Sequence, residues 1–125
     1  ANPSYNSNQM NQIFKGLKKG LDVSLYVNSN FNEFQMSEIM LGLESNVDVT
    51  IYANTEFNYC QMGEIREGLE QNLDVSLYTN SGFDFYQMYQ IRLGLENGID
   101  VSIYANPNID DEEMRTIRLE LESNK

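Results

Sequence analysis

Residues 83–108 read FDFYQMYQIRLGLENGIDVSIYANPN, and variants of this 26-residue segment fill the chain. Three apolar positions keep the same residue in every copy: Met10, Met36, Met62, Met88 and Met114; Ile13, Ile39, Ile65, Ile91 and Ile117; Leu17, Leu43, Leu69, Leu95 and Leu121. A fixed period of this length predicts a solenoid, in which each unit buries an apolar face against the next. We expect one repeat domain, 1–125, with units at about 5–30, 31–56, 57–82, 83–108 and 109–125.

Each copy carries the signals that begin and end a helix. Asn or Asp precedes Gln or Glu by three residues, which is the spacing of a capping box, at Asn6/Gln9, Asn32/Gln35, Asn58/Gln61, Asp84/Gln87 and Asp110/Glu113. The Met, Ile and Leu positions then follow at i, i+3 and i+7, on one helical face. A residue suited to the left-handed conformation ends each helix: Gly20, Asn46, Asn72, Gly98 or Asn124. The pattern predicts helices at 7–19, 33–45, 59–71, 85–97 and 111–123.

The segment between successive helices allows two interpretations. Residues 21–27 alternate apolar and polar side chains, which is typical of a strand, and a strand before each helix would give a βα solenoid similar to a leucine-rich repeat. Aspartate opens this segment in four copies, at Asp22, Asp48, Asp74 and Asp100. Because aspartate is poor in strands and good at a helix N-cap, we favour a short helix of about one and a half turns, and therefore an all-α solenoid of long and short helices.

Glycine recurs inside the predicted long helices, at Gly16, Gly42, Gly68 and Gly94. Because glycine costs about 1 kcal/mol relative to alanine there, we expect it to mark close packing between units. The fifth copy has Glu120 at this position and Lys125 at an otherwise apolar one, as expected of a C-terminal capping unit. At the other end, residues 1–3 repeat the Ala-Asn-Pro of 105–107, which suggests that the segment comes from a longer array.

The charge of the chain is strongly negative and unevenly distributed. The net charge is −11; residues 1–20 carry three lysines and no acid, whereas residues 21–125 carry five basic and 19 acidic side chains. We expect such a body to repel nucleic acid and membranes and to attract a protein with a basic surface, although solubility alone could explain the charge. The sequence has no membrane-span or signal-peptide pattern, and Cys60 is its single cysteine, so a cytoplasmic protein is expected.

Catalytic chemistry finds little support in the sequence. The chain has no histidine, which removes the usual general base, the common nucleophile pairs and most zinc sites. The acidic run 110–113 lacks the ligand spacing of an EF-hand and is better explained as the start of a helix. We therefore predict that the chain is not an enzyme and has no catalytic residues, metal ligands or cofactors.

The full pattern resembles a short repeat that occurs in tandem in proteins of bacterial mobile elements and phages. The fourth copy carries the resemblance best, through Gln87-Met88, Ile91-Arg92, Gly94-Leu95-Glu96, Asp100-Val101-Ser102 and Tyr104-Ala105-Asn106-Pro107. The first copy carries it least, since Phe14 replaces the usual Arg and Lys18 replaces Glu. The resemblance spans essentially the whole chain, but the family has no assigned activity, so it implies a bacterial origin and no catalytic role.

Aromatic residues at non-repeating positions are the remaining feature that requires an explanation. These are Phe34, Tyr59, Phe85, Tyr86 and Tyr89, near Asp111 and Glu112 in the predicted helix starts. They could pack against the preceding loop or form a partner-binding surface. The leading hypothesis is a non-catalytic protein-binding module at these seven residues. The alternatives are an acidic inhibitor that mimics nucleic acid and blocks a nuclease or other defence protein, and a structural spacer.

Overall fold

The computed structural model describes residues 5–124, which form a stack of alternating α-helices and single 3₁₀ turns. The α-helices are α1 (Ser7–Lys18), α2 (Glu33–Glu44), α3 (Tyr59–Glu70), α4 (Phe85–Glu96) and α5 (Asp111–Ser123); the 3₁₀ turns are η1 (Val23–Leu25), η2 (Val49–Ile51), η3 (Val75–Leu77) and η4 (Val101–Ile103). The predicted all-α solenoid is confirmed, and no strand occurs within 5–124. Every helix begins at the predicted residue, and α1 to α4 end one residue earlier than predicted.

The predicted capping boxes hold the starts of the first four helices. The cap oxygen of Asn32 accepts from the Gln35 backbone N–H at 2.8 Å, and Gln35 Oε1 accepts from the Asn32 N–H at 2.9 Å. The first, third and fourth units repeat both bonds. In α5 only one of them forms, from the Glu113 N–H to Asp110, so the predicted box is wrong there. A carboxylate at each position would bring two negative charges together, which neutral glutamine avoids.

The ends of the first four helices also follow the prediction. Gly20, Asn46, Asn72 and Gly98 have φ values of 73°, 64°, 60° and 72°, which is the left-handed region that glycine and asparagine tolerate. The next residue then bonds back into the last helical turn, as Leu21 N–H does to the Gly16 carbonyl at 3.0 Å. Asn124 has a φ of −94°, so the predicted left-handed stop is wrong in the fifth copy.

Each connecting segment forms a 3₁₀ turn, which is helical as favoured but shorter than predicted. The carboxylate of Asp48 accepts from the Thr50 backbone N–H at 3.1 Å and from the Thr50 hydroxyl, and Asp22, Asp74 and Asp100 bind a serine in the same way. This local bonding satisfies the first free N–H groups of the turn. The βα alternative is therefore excluded for the described connections.

A buried tyrosine ends each 3₁₀ turn and ties it to the long helix before it. Tyr26, Tyr52, Tyr78 and Tyr104 are 0% exposed. The Tyr78 hydroxyl donates to the Glu64 carbonyl at 2.6 Å, and a Cβ atom on Gly68 would lie 2.2 Å from that hydroxyl. The recurring glycine thus makes room for the tyrosine of its own unit. The expectation that it marks packing between units is wrong, because the crossing element belongs to the same repeat.

Contacts between units combine an apolar core with buried glutamines. Each helix packs on the next, and Met36, Ile39, Met62 and Ile65 are 0% exposed between them. The Nε2 atom of each cap glutamine donates to a carbonyl of the following unit: Gln9 to Phe31, Gln35 to Phe57, Gln61 to Phe83 and Gln87 to Ile109, at 2.6–2.8 Å. One glutamine side chain therefore closes its own helix cap and joins the next unit.

Candidate binding surface

The non-repeating aromatic residues occupy the first turns of α2, α3 and α4. Phe34 is the second residue of α2, Tyr59 the first of α3, and Phe85 and Tyr86 are the first two of α4. Tyr89 lies one turn further along α4. We call these five residues the aromatic strip. The helix caps fix their backbone, because each cap box sets where its helix begins.

Two ring contacts organise the aromatic strip. The rings of Phe34 and Tyr59 lie 5.1 Å apart between α2 and α3, and those of Phe85 and Tyr86 lie 4.1 Å apart within α4. Both pairs are tilted, by 34° and 31°, and the Phe34–Tyr59 separation lies in the range typical of favourable aromatic pairs. Phe34 is the second residue of α2 and Tyr59 the first of α3; Tyr86 and Asp111 occupy the same two positions in α4 and α5. The row of helix starts therefore leads from the aromatic strip to the acidic start of α5.

Most of the strip is exposed to solvent. Phe34, Tyr59, Tyr86 and Tyr89 are between 41% and 57% exposed, whereas Phe85 is half-buried. Exposure therefore argues against loop packing for four of the five rings, whereas the half-buried Phe85 contacts Tyr86. Of the acidic residues predicted with them, Glu112 is exposed and Asp111 is half-buried. Beside Tyr59 lies the half-buried Cys60, and a hydrogen bond with its thiol raises the pKa of the Tyr59 hydroxyl.

Tyr89 connects the strip to a row of arginines on the same side of the stack. Its ring lies 5.3 Å from the Arg92 guanidinium carbon, within range of a cation–π contact. Arg92 Nε donates to Glu64 Oε1 of the preceding unit at 2.7 Å, and the same guanidinium pairs with Glu67 and Glu96. Burial raises the pKa of Glu64, although the hydrogen bond from Arg92 opposes that rise.

The arginine row repeats in the last three units only. Arg66 bonds Glu38 and Glu70, each at 2.9 Å. Arg118 bonds Gln90 Oε1 at 2.9 Å and also pairs with Glu122. The first two copies have Phe14 and Met40 at this position. Several of the acidic residues near Tyr89 are thus neutralised in pairs, which leaves the exposed aspartates of the 3₁₀ turns and the start of α5 as the more open negative charge.

Sequence reasoning missed an exposed apolar surface on α1. Met10, Phe14 and Leu17 are 45% to 60% exposed, although the repeat predicted Met10 and Leu17 as core. With Tyr5 and Ile13 they line a groove of about 250 Å³. The only signal in the sequence was Phe14, which stands where later copies have Arg or Met. We call Met10, Phe14 and Leu17 the α1 outer face.

The described residues 5–124 contain no cluster of three or more Cys, Asp or Glu side chains arranged to hold a metal ion. None of their helices is long and apolar enough to cross a bilayer. Comparisons with protein-family models, with curated proteins and with solved structures give no match. The repeat family that the sequence resembles therefore stays a proposal, and the surfaces themselves must support any function.

Proposed function

We propose that this chain is a non-catalytic protein-binding module whose partner contacts the aromatic strip. The observation that carries the proposal is the exposure of Phe34, Tyr59 and Tyr86 in the first turns of three successive helices, with the rings of Phe34 and Tyr59 in contact. Rigid aromatic side chains give large contact area at low entropic cost, and they dominate the binding energy of many protein interfaces. A row of them at non-repeating positions is what a specific partner requires.

The framework does not need these side chains, which strengthens the proposal. The same helical position holds Asn8 in the first copy, Cys60 in the third and Glu112 in the fifth, and all these helices begin with a capped turn. Exposed contiguous aromatic surface is unfavourable in water and is uncommon on a monomer without a binding role. The repeated residues therefore build the scaffold, and the strip is left for recognition.

The charge around the strip defines the partner further. Asp111 and Glu112 extend the row at one end, and the chain carries a net charge of −11. A complementary partner has an apolar centre that receives the rings and a basic rim that faces α5. Direct binding of nucleic acid is disfavoured by the same charge. With the resemblance to mobile-element repeats, these features support a cytoplasmic bacterial protein that binds another protein.

One observation favours a second function, the acidic inhibitor that mimics nucleic acid. Asp22, Asp48, Asp74 and Asp100 recur once per unit and are exposed, so the stack presents a regular series of negative charges. Such a series could occupy the basic groove of a nuclease. Binding through separated surface charges weakens steeply with salt, whereas binding through desolvated rings does not.

A triple variant tests the aromatic strip. Phe34→Ala, Tyr59→Ala and Tyr86→Ala together should weaken partner binding at least about 30-fold, because truncated aromatic anchors typically lose about 2 kcal/mol or more. The partner used for this measurement is the protein that stays bound to the wild-type chain at both about 0.05 M and about 0.5 M salt. The matched control replaces three exposed aliphatic residues of the 3₁₀ turns: Ile51→Ala, Leu77→Ala and Ile103→Ala.

The outcomes separate the candidate functions. Loss of binding in the strip variant alone, with an unchanged helical spectrum, supports the protein-binding proposal. Equal binding by wild type and the strip variant, lost at high salt, favours the nucleic-acid mimic. If the strip variant unfolds, the rings belong to the core, and a spacer becomes the better interpretation.

A further inference from the structure

The α1 outer face lacks the cover that the same positions have elsewhere. Met10 is 45% exposed, whereas Met36, Met62, Met88 and Met114 are each 0% exposed. Phe14 is 60% exposed, whereas Met40 at the equivalent position is 6% exposed. In α2 to α5 these positions are buried against the preceding unit. The identity of the covering element can therefore be read from the rest of the stack.

Three interactions hold each unit to the one before it. The preceding helix buries the methionine, the cap glutamine of that helix donates to a loop carbonyl, and its C-cap side chain bonds a glutamate. Between α1 and α2 these contacts involve Met36, Gln9 with the Phe31 carbonyl, and Lys19 Nζ with Glu44 at 2.9 Å. On α1 the corresponding groups are Met10, the Tyr5 carbonyl and Lys18. All three lie at the open end of the stack.

The unpaired side of α5 carries a different surface. The positions of α5 that correspond to the contacts of α4 with α5 are Glu113, Thr116 and Ser123, and all three are exposed. Glutamate and threonine stand there in place of the buried Gln87 and Gln90. The α1 outer face has no such replacement, apart from Lys18. It is built as an interface and not as a terminal surface.

We propose that the α1 outer face docks one further helix-plus-3₁₀ unit of the same repeat type, joined ahead of Tyr5. Continuity with the four inter-unit interfaces of the stack carries this assignment. The sequence supports it, because residues 1–3 have the same Ala-Asn-Pro sequence as residues 105–107, which lie between η4 and α5. The covering unit would present its tyrosine-bearing turn and its helix to Met10, Phe14 and Leu17.

A second copy of this chain is a poor occupant. Its exposed α5 offers Glu113, whose carboxylate has no N–H to donate to the Tyr5 carbonyl. The α1 outer face instead requires a unit with glutamine at that position.

Lys18 adds a specific requirement for the covering unit. Later units have Glu44, Glu70, Glu96 and Glu122 at this position, where they accept from the C-cap side chain of the preceding unit: Lys19, Ser45, Gln71 and Asn97. Lysine can only donate. The covering unit therefore carries a C-cap side chain with an acceptor oxygen, such as Asp, Glu, Asn, Gln, Ser or Thr.

A grafted unit tests the proposal directly. Residues 83–104 are placed ahead of Ala1, which preserves the 26-residue register because Ala1 matches Ala105. This unit supplies Gln87, Gly94 and Tyr104, and Asn97 as the acceptor for Lys18. We expect amide hydrogen exchange in α1 to slow at least about tenfold, the melting temperature to rise, and Phe14→Ser to become destabilising although it is nearly neutral in the original chain.

The matched control carries Gln87→Glu in the grafted unit only, which is the residue of the fifth copy and removes the donor to the Tyr5 carbonyl while Gly94 still accommodates Tyr104. It should protect α1 less than the unmodified graft does. Equal protection by both grafts, or by neither, overturns the proposal. So does self-association of the original chain that Phe14→Glu abolishes in sedimentation equilibrium, since the occupant would then be a second copy. The result is independent of the aromatic strip, whose variant should accept the graft unchanged.

Discussion

The first and last helices each lack one neighbour, yet they meet solvent with different chemistry. On its unpaired side α1 exposes Met10, Phe14 and Leu17, whereas the unpaired side of α5 exposes Glu113 and Thr116. Both helices carry the same Met, Ile and Leu positions. The difference teaches that the exposure of a repeated residue depends on whether a neighbouring unit covers it, and that a few outward positions decide whether an unpaired face is apolar or polar.

The two ends also differ in the element that follows the helix. After α1, the η1 turn inserts Tyr26 against Gly16, as each later turn does in its own unit through η4. After α5 the structure describes only Asn124, and Glu120 occupies the glycine position. Within the described residues, the glycine therefore occurs in the four helices that are followed by a tyrosine-bearing 3₁₀ turn.

Alkaline pH should destabilise the protein more than any single substitution, because it acts on all four tyrosine–glycine pairs together. Burial raises the pKa of the hydroxyls of Tyr26, Tyr52, Tyr78 and Tyr104 above the ordinary value of 10.0. The folded protein thus keeps protons that the unfolded chain loses, and stability present below pH 10 declines as the pH rises. Above pH 10 we expect each hydroxyl that stays protonated to contribute a loss of up to about 1.4 kcal/mol per pH unit, so the four together reach at most about 5.6 kcal/mol per pH unit.

Urea unfolding at several pH values from about 9 to about 11 measures this slope. Tyr78→Phe should reduce it by roughly a quarter, although that variant loses the hydrogen bond to the Glu64 carbonyl. A free energy of unfolding that stays constant across this range would mean that the hydroxyls ionise without leaving the core.

Alanine at two equivalent positions, Gly68 and Glu120, compares a helix that packs against a buried tyrosine with one that does not. Gly68→Ala places a Cβ atom 2.2 Å from the Tyr78 hydroxyl and 2.6 Å from Val75 Cγ1, so the 3₁₀ turn must shift. We expect a loss of about 3 kcal/mol, despite the better helix propensity of alanine. Glu120→Ala in α5 should change the free energy of unfolding by less than about 0.5 kcal/mol. A stabilising Gly68→Ala would contradict the assigned role of the glycine.

The helix boundaries could be predicted because their signals are local. Asn32 and Gln35 form a capping box within one helical turn, and Asn46 adopts the left-handed conformation that its residue type tolerates. These groups are close in sequence, so their hydrogen bonds do not depend on the rest of the fold. The same reasoning failed for Asp110 and Asn124, where charge and the end of the described stack change the local balance.

Other features depend on contacts that no short window of sequence contains. The length of the η2 turn is set by Tyr52, whose hydroxyl reaches the Glu38 carbonyl fourteen residues earlier. That same contact explains Gly42. For the candidate site, comparison between copies located Tyr59 and Tyr86, because an unrepeated residue stands out against a repeat. It could not find the α1 outer face, because periodicity treats Met10 and Met36 alike.

Two variants in the arginine row compare a partly buried carboxylate that loses its arginine partner with a buried amide that loses its arginine partner. Arg92→Met leaves the partly buried Glu64 carboxylate without its main partner, and we expect a cost of about 3 kcal/mol at neutral pH. Arg118→Met leaves the amide oxygen of Gln90 unpaired, whereas Glu122 keeps its hydrogen bond from Asn97, and we expect a cost of about 1–2 kcal/mol. Lowering the pH should restore part of the loss in Arg92→Met, because protonation discharges Glu64, whose pKa burial already raises. A similar recovery in Arg118→Met would contradict this assignment.

Met40→Arg should have the smallest effect and the opposite sign. The Oε1 atom of Gln12 is buried without a hydrogen-bond partner, and Met40 stands where Arg118 bonds the equivalent atom of Gln90 at 2.9 Å. An arginine there can reach Gln12 and also Glu44, four residues on. Satisfying a buried acceptor is worth about 1 kcal/mol beyond the lost methionine packing, measured by urea unfolding. Met40→Leu, the control, should give no gain. A destabilising Met40→Arg would instead indicate that Phe14 and Met40 form one apolar row, continuous with the α1 outer face.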